Sequence, residues 1–288
     1  MLRTFAAGLG LAGTATAYST IATCAPRSAA HDAKNKDKGV AVVTGGSRGI
    51  GAATCVVLAE QGYRVAVNYH RDTAAAERIV SRIRAAGGTA EAVQADVSDS
   101  EQVTALFAEA ERKLGTPLVA LVNNAGVLGS PSREEDALAE LTEDELMRVF
   151  RTNVVGALHC CREAAARMSA GGAIVNVSSG AAYIGTNNIA YSVSKGALNS
   201  MQCSLVAPLM KRGIRINTVS PGICETDMVS HLSESFMRSQ GRTIPAGRVG
   251  QPEEIAWAVA YLLDSEKAGY TAGANIRVAG GRQTGFGM

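Results

Sequence analysis

The sequence predicts a single doubly wound α/β domain, a seven-stranded parallel sheet with helices on both faces. From Val40 onward, short β-rich runs alternate with longer segments whose apolar residues recur every three or four positions, the pattern of strand–helix units wound around a buried parallel sheet. The first of these strands runs directly into a glycine-rich turn and then a helix. The 288 residues are enough for one such domain with one sheet.

The elements follow in order. Val40–Thr44 is the first strand and Ile50–Gln61 the helix that returns over the sheet. Strand Arg64–Tyr69 is then matched with helix Thr73–Ala86, Ala90–Gln94 with Ser100–Leu114, and Leu118–Asn123 with Thr142–Met168. Ala173–Val177 precedes helix Tyr191–Arg212, Arg215–Val219 precedes Pro252–Leu263, and Asn275–Val278 closes the sheet. Each strand is apolar or β-branched and ends in a polar or glycine-bearing turn, and Pro252 stands where a helix can begin. Ile223 to Arg248 breaks the rhythm, being polar and long for a connection. It follows the carboxyl end of a strand, where open α/β sheets bind ligands, so it is expected to be a lid.

Composition excludes several classes. With 47% apolar and 19% charged residues the chain reads as a globular protein rather than a disordered or fibrous one. A formal charge of +2 without clustered Lys and Arg gives no footprint for nucleic acid. The six cysteines include no CxxC pair and no zinc-ligand spacing, so they read as reduced core thiols, and no metal site is expected. Residues 1–39 stand apart from the domain at 40–288. Met1 to His31 carries Arg3 and Arg27, many small residues and no Asp or Glu, the composition of an organellar transit peptide, and a mitochondrial address is expected. Phe5–Ala17 could instead be the core of a secretory signal, and a membrane span would need about 20 apolar residues.

The turn Thr44-Gly45-Gly46-Ser47-Arg48-Gly49-Ile50-Gly51 lies between a strand and a helix, as a Rossmann-type dinucleotide site requires. Gly45 permits the tight turn, Gly49 lets backbone approach a pyrophosphate, and Gly51 lets the helix pack close to the strand. At the end of the second strand, where a carboxylate would bind the ribose 2′-hydroxyl, stands Asn68, followed by Tyr69, His70 and Arg71. With Arg48 in the turn, this surrounding suits the 2′-phosphate of NADP(H). Arg71 is either part of that site or an ordinary solvated charge.

Tyr191-Ser-Val-Ser-Lys195 places a phenol and an ammonium four residues apart, on one helix face. A neighbouring cation favours the phenolate, which would bring a tyrosine into use as a general acid/base near neutral pH. Ser178 and Ser179 both stand at the end of the fifth strand; Ser179 is the candidate to hold a substrate oxygen.

Together these motifs resemble the short-chain dehydrogenase/reductase family over nearly all of Val40 to Gly281. The ordered matches are Thr44–Gly51, Asp96-Val97, Asn123-Asn124-Ala125-Gly126, Asn153, Ser179, Tyr191, Lys195, and Pro221-Gly222 with Thr226. The resemblance implies an NADP(H)-dependent oxidoreductase acting on a carbonyl or secondary alcohol, with catalytic residues Asn153, Ser179, Tyr191 and Lys195. It implies that Asp96 holds the adenine amino group, with Val97 beside it, and that Asn123, Ala125 and Gly126 stabilise the sheet beside the cofactor. Asn153 would bind a water in a proton relay through Lys195, which would also bond the nicotinamide ribose. Pro221, Gly222, Ile223 and Thr226 would face the carboxamide. Self-association as a homotetramer or dimer through the helices holding Thr152–Met168 and Tyr191–Arg212 is implied on the same ground.

Two departures stand out. Ser179 is one residue closer to Tyr191 than is usual, and Ala279 precedes the paired glycines where relatives carry Asp or Asn. Pro221–Met228 and Ile244–Ile255 look like 3-oxoacyl-[acyl-carrier-protein] reductases. Against that, the segment after Gly126 is longer and lacks their Arg-Asp-x-Leu-Leu pattern, and of their two carrier-docking arginines Arg212 aligns while Ala170 replaces the other. Pro117–Val127 and Cys160–Met168 are closer to glucose-dehydrogenase-like members. A general carbonyl reductase ranks first, a reductase of acyl-carrier thioesters second, and a non-catalytic NADPH-binding subunit third.

Overall fold

A computed structural model describes residues 37–130, 136, 138–229 and 233–282. The leader reading for residues 1–36 and parts of the loop after Gly126 and of the lid lie outside the described residues.

Strand β1 (Gly39–Val43) is buried throughout. Val40 and Val42 join the core on one side of the sheet and Ala41 and Val43 the core on the other. A strand covered on both faces has no polar side to present, so it reads as an unbroken apolar run. Helix α1 (Gly49–Glu60) packs Leu58 into one layer. It is followed by β2 (Tyr63–Tyr69), α2 (Thr73–Ala85), β3 (Thr89–Gln94), α3 (Ser100–Leu114) and β4 (Leu118–Asn123). Leu121 of β4 faces the opposite layer, with Phe107 of α3. Burial of such a Leu or Phe stabilises the fold by about 1.5–3 kcal/mol.

The second half holds α4 (Glu143–Phe150), a π-helical turn (Arg151–Val155), α5 (Gly156–Arg167), β5 (Ala173–Val177), α6 (Ala181–Ile184) and α7 (Ile189–Met210). Then come β6 (Arg215–Pro221), a short 3₁₀ turn (Asp227–Val229), α8 (Glu234–Arg242), α9 (Pro252–Leu263), α10 (Ser265–Ala268) and β7 (Asn275–Val278). The strands lie in the order β3-β2-β1-β4-β5-β6-β7 and every pair is parallel. The strands run outward from β1 in one direction to β3 and from β4 in the other to β7, and this switch between β1 and β4 opens a crevice at their carboxyl ends.

The seven strands stand where expected, within one or two residues; among the helices, the short α6 and α10 were not expected, and three further differences have local causes. The expected helix Thr142–Met168 is interrupted by the π turn, because the Asn153 side chain is drawn inward to the Val127 backbone and an extra residue is accommodated in the ladder. Helix α7 begins at Ile189, before Tyr191, because Asn188 caps it. The expected lid Ile223–Arg248 is not irregular throughout its described residues: Ser233 accepts from the Phe236 N–H at 3.1 Å and starts α8. Its neck is closed where the Gly250 N–H donates to Ile223 O at 2.9 Å and the Glu225 N–H donates to Gly250 O at 3.0 Å.

Candidate active site

A cleft of about 630 Å³ opens over the carboxyl ends of β1, β2 and β4. Its floor is the glycine turn. Gly45 and Gly49 both adopt positive φ, and both line the cleft with Ser47, Arg48 and Ile50. Gly51 lies beneath: a Cβ there would stand 2.2 Å from the Gly45 carbonyl oxygen. Thr44 Oγ1 accepts the N–H groups of Asn124 and Ala125, each at 3.0 Å. Asn124 Nδ2 returns bonds to Thr44 O at 2.9 Å and Gly45 O at 3.1 Å, fixing the turn against β4 at the crevice.

The cleft fits a dinucleotide. Helices α2, α3 and α4 are capped by Asp72, Asp99 and Thr142, whereas no side chain caps α1 and its first turn holds no acid. The start of α1 therefore offers backbone N–H groups to a pyrophosphate, and glycine at 49 keeps the approach clear. Arg48, Arg71, Arg148 and Arg151 line the cleft against Asp72, Asp96 and Asp227. Among the described residues no cluster could hold a metal ion, and no helix is long and apolar enough to cross a membrane.

Most residues singled out from the sequence stand where expected, but the side chains of some are engaged elsewhere. Asn68 is buried with its side chain committed to backbone: Oδ1 accepts the Gly45 N–H at 3.2 Å, and Nδ2 donates to Val93 O at 3.2 Å and Ala95 O at 3.1 Å. Its side chain holds the turn, and Asn68 lines the cleft together with Arg48, His70 and Arg71. Asn123 is in the core, bonding Asn176 Oδ1 at 2.9 Å, and it is Asn124 that reaches the cleft. Asp96 and Val97 line the cleft, with Asp96 Oδ1 accepting from Ser98 Oγ at 2.7 Å and Oδ2 3.4 Å from His70 Nε2. Ala125, Gly126 and Thr226 line it as well. Pro221 is buried at the end of β6, Gly222 donates to Val278 O at 2.9 Å, and Ile223 lines a small separate cavity beneath the lid.

Behind Gly126 sit two of the four residues expected to do acid–base chemistry, Asn153 and Lys195. A Cβ on Gly126 would lie 3.4 Å from both Lys195 Nζ and Asn153 Oδ1, so the cleft ends against these groups. Ser178 Oγ donates to Lys195 O at 2.9 Å and is consumed by structure, whereas Ser179 hydrogen-bonds the Tyr191 phenol. Lys195 Nζ lies 5.6 Å from the centroid of the Tyr191 ring and donates to Val177 O at 2.8 Å. Burial pushes the Tyr191 phenol above its ordinary 10, and the Ser179 bond opposes this in part. Burial likewise brings Lys195 down to about 8. The expected lowering of the phenol by its lysine neighbour is thus reversed, because a dry pocket disfavours phenolate and ammonium alike. Asn153 is 1% exposed; its Nδ2 is spent on Val127 O and Ser194 Oγ, while Oδ1 accepts from the Val127 N–H alone and keeps a second acceptor site.

A family model described as enoyl-(acyl carrier protein) reductase matches residues 45–283. An uncharacterized oxidoreductase, YgfF, of Escherichia coli (strain K12) is 44% identical over 251 residues, covering 84% of this chain and 99% of its own. The 3-oxoacyl-[acyl-carrier-protein] reductase FabG of Staphylococcus aureus (strain Mu50) is 38% identical over 84% of this chain and 96% of its own. A short chain dehydrogenase from Burkholderia cenocepacia, solved in complex with NADP, superposes with a TM-score of 0.76 at 33% identity, covering 84% of this chain and 96% of that one.

Proposed function

Because the chain belongs to the short-chain dehydrogenase/reductase family, we propose that it is an NADP(H)-dependent carbonyl reductase in which Tyr191 exchanges the proton. The observation that carries this reading is the Tyr191 phenol, kept protonated by burial, bonded to the Ser179 hydroxyl and with Lys195 Nζ over its ring, while Lys195 Nζ and Asn153 Oδ1 stand behind Gly126 of the cleft lining. A bound nicotinamide supplies the hydride. The Ser179 and Tyr191 hydroxyls together hold a carbonyl oxygen, and Tyr191 donates its proton as charge develops there. Lys195, still largely protonated at pH 7, stabilises the phenolate left behind. Arg48 and Arg71, which both line the cleft, support NADP(H) over NAD(H), since a guanidinium beside a 2′-phosphate would make a charge-assisted bond.

Reduction of an acyl-carrier thioester is the second reading, supported by the name of the Staphylococcus aureus relative. It is weaker because the side chain of Arg212 is turned onto Ala165 O and Ala170 offers no charge beside it for an acidic carrier. The acid-free leader supports mitochondrial import, with cytoplasmic and secretory addresses as alternatives. The helices α5 and α7 support self-association, through Leu158, Val193 and Met210 exposed on them.

The test is NADPH oxidation against acetoacetyl thioesters, diketones, quinones and sugars. Turnover of small ketones or sugars with thioesters silent is the expected result. Selective thioester turnover would put the second reading first, and silence across the panel despite tight NADPH binding would leave a binding protein.

A further inference from the structure

The Tyr191 backbone is held by contacts that no proton-transfer step uses. Its N–H donates to Asn188 Oδ1 at 3.1 Å, and Asn188 Nδ2 donates to Gly129 O at 3.0 Å. On the other side, the Tyr191 carbonyl accepts from Ser194 Oγ at 2.7 Å, and that same oxygen accepts from Asn153 Nδ2 at 3.0 Å. Asn153 closes the path, accepting the Val127 N–H at 2.8 Å and donating to Val127 O at 3.0 Å. Two separate hydrogen-bonded links therefore join one residue of α7 to the loop that leaves the cleft after Gly126.

From Val127 to Ser130 that loop is held at each residue. Between the two anchored positions, Leu128 O accepts from Arg148 Nη2 at 3.0 Å, and beyond them the Ser130 N–H donates to Glu145 Oε1. The fit is close at Gly129, where Glu145 and Asn188 leave no room for a Cβ. Asparagine at 188 is chemically specific for this arrangement. Its carbonyl caps the helix, which Asp or Ser would do as well, but the bond to Gly129 needs a donor on the same short side chain.

We propose that Asn188 is a positioning residue that ties the loop Val127–Ser130, which leaves the cleft after Gly126, to the Tyr191 backbone, so that phenol and loop hold one registration. The role rests on the reading of Tyr191 as the acid–base group. An error of about 1 Å between reacting groups costs on the order of a hundredfold in rate, so a link of this kind matters more to turnover than to folding.

The experiment compares the full chain with Asn188→Asp, which keeps the helix cap but replaces the donor by an acceptor facing Gly129 O and Glu145. Asn188→Ala, which loses both bonds, is the control for folding. For Asn188→Asp we expect an unchanged melting temperature and NADPH dissociation constant, a drop of about tenfold or more in kcat/KM for a diketone, and faster amide exchange at Ser130 with Tyr191 still protected. Kinetics equal to the parent would overturn the proposal. So would a fall in melting temperature and NADPH binding that parallels the loss of activity, since that marks a residue of the fold alone. Exchange needs no substrate: if Ser130 is unchanged in Asn188→Asp the link is refuted whatever the activity. If the parent reduces no carbonyl, it is the Tyr191 reading that fails, and exchange still decides the coupling.

Discussion

Replacing Lys195 by methionine removes a cation that the fold holds at a cost. Lys195 is 4% exposed and burial brings it from its ordinary 10.5 to about 8. At about 1.4 kcal/mol per pH unit, that difference opposes folding by about 3 kcal/mol wherever the folded protein must keep the proton, below pH 8. Between about pH 8 and 10.5 the unfolded chain binds the proton and the folded one does not, so the parent gains stability as pH rises through this window. Methionine has no such dependence. It loses the bond to Val177 O, which costs about 1 kcal/mol at any pH. Lys195→Met should therefore be more stable than the parent by about 2 kcal/mol at pH 7 and lose that advantage by pH 10. Urea unfolding of both proteins without cofactor, followed by circular dichroism at the two pH values, measures this directly. A stability difference that does not change with pH would refute the reasoning, because it would mean that Lys195 is hydrated in the folded state.

Three further outcomes follow from the same geometry. Gly51→Ala, whose Cβ would meet the Gly45 carbonyl at 2.2 Å, should destabilise the fold by about 1–3 kcal/mol and weaken NADPH binding, seen by thermal melting and cofactor titration. Arg48→Ala with Arg71→Ala should raise the NADPH dissociation constant by about tenfold or more while leaving NADH nearly unchanged, the loss of charge-assisted bonds to one phosphate; equal losses for both cofactors would contradict it. Carbonyl reduction at saturating NADPH should hold through neutral pH and fall as pH rises through about 8, where Lys195 gives up its charge. A pH–rate profile that stays flat to pH 10 would contradict the role given to Lys195.

The sheet was legible because both faces of each inner strand are buried, so that Val40–Val43 or Ala173–Val177 carries its burial as an unbroken apolar run. The glycine turn and the Tyr191–Lys195 pair were legible for a different reason, since their chemistry depends on spacing within a few residues. What sequence could not give was the direction of side chains. Asn68 and Asn123 stand at the positions expected, but each is turned onto backbone or core, a choice made by strands distant in the chain. Which of Ser178 and Ser179 faces the phenol was likewise settled by the α7 carbonyl that takes the Ser178 hydroxyl. The pH behaviour of Tyr191 was misread because burial, which spacing does not report, raises the phenol more than the Ser179 bond lowers it. The start of α8 did carry a local signal, Ser233 followed by Glu234, a capping serine before an acid in the first turn.

The central claim is that Tyr191 is the proton donor of an NADPH-dependent reduction. It is tested most directly by measuring NADPH binding and carbonyl turnover side by side for the parent and Tyr191→Phe. The account predicts equal cofactor affinity with turnover lower by about a hundredfold to ten-thousandfold, the contribution of one positioned acid. A phenylalanine variant that binds NADPH and reduces the same carbonyl at the parent's rate would contradict it.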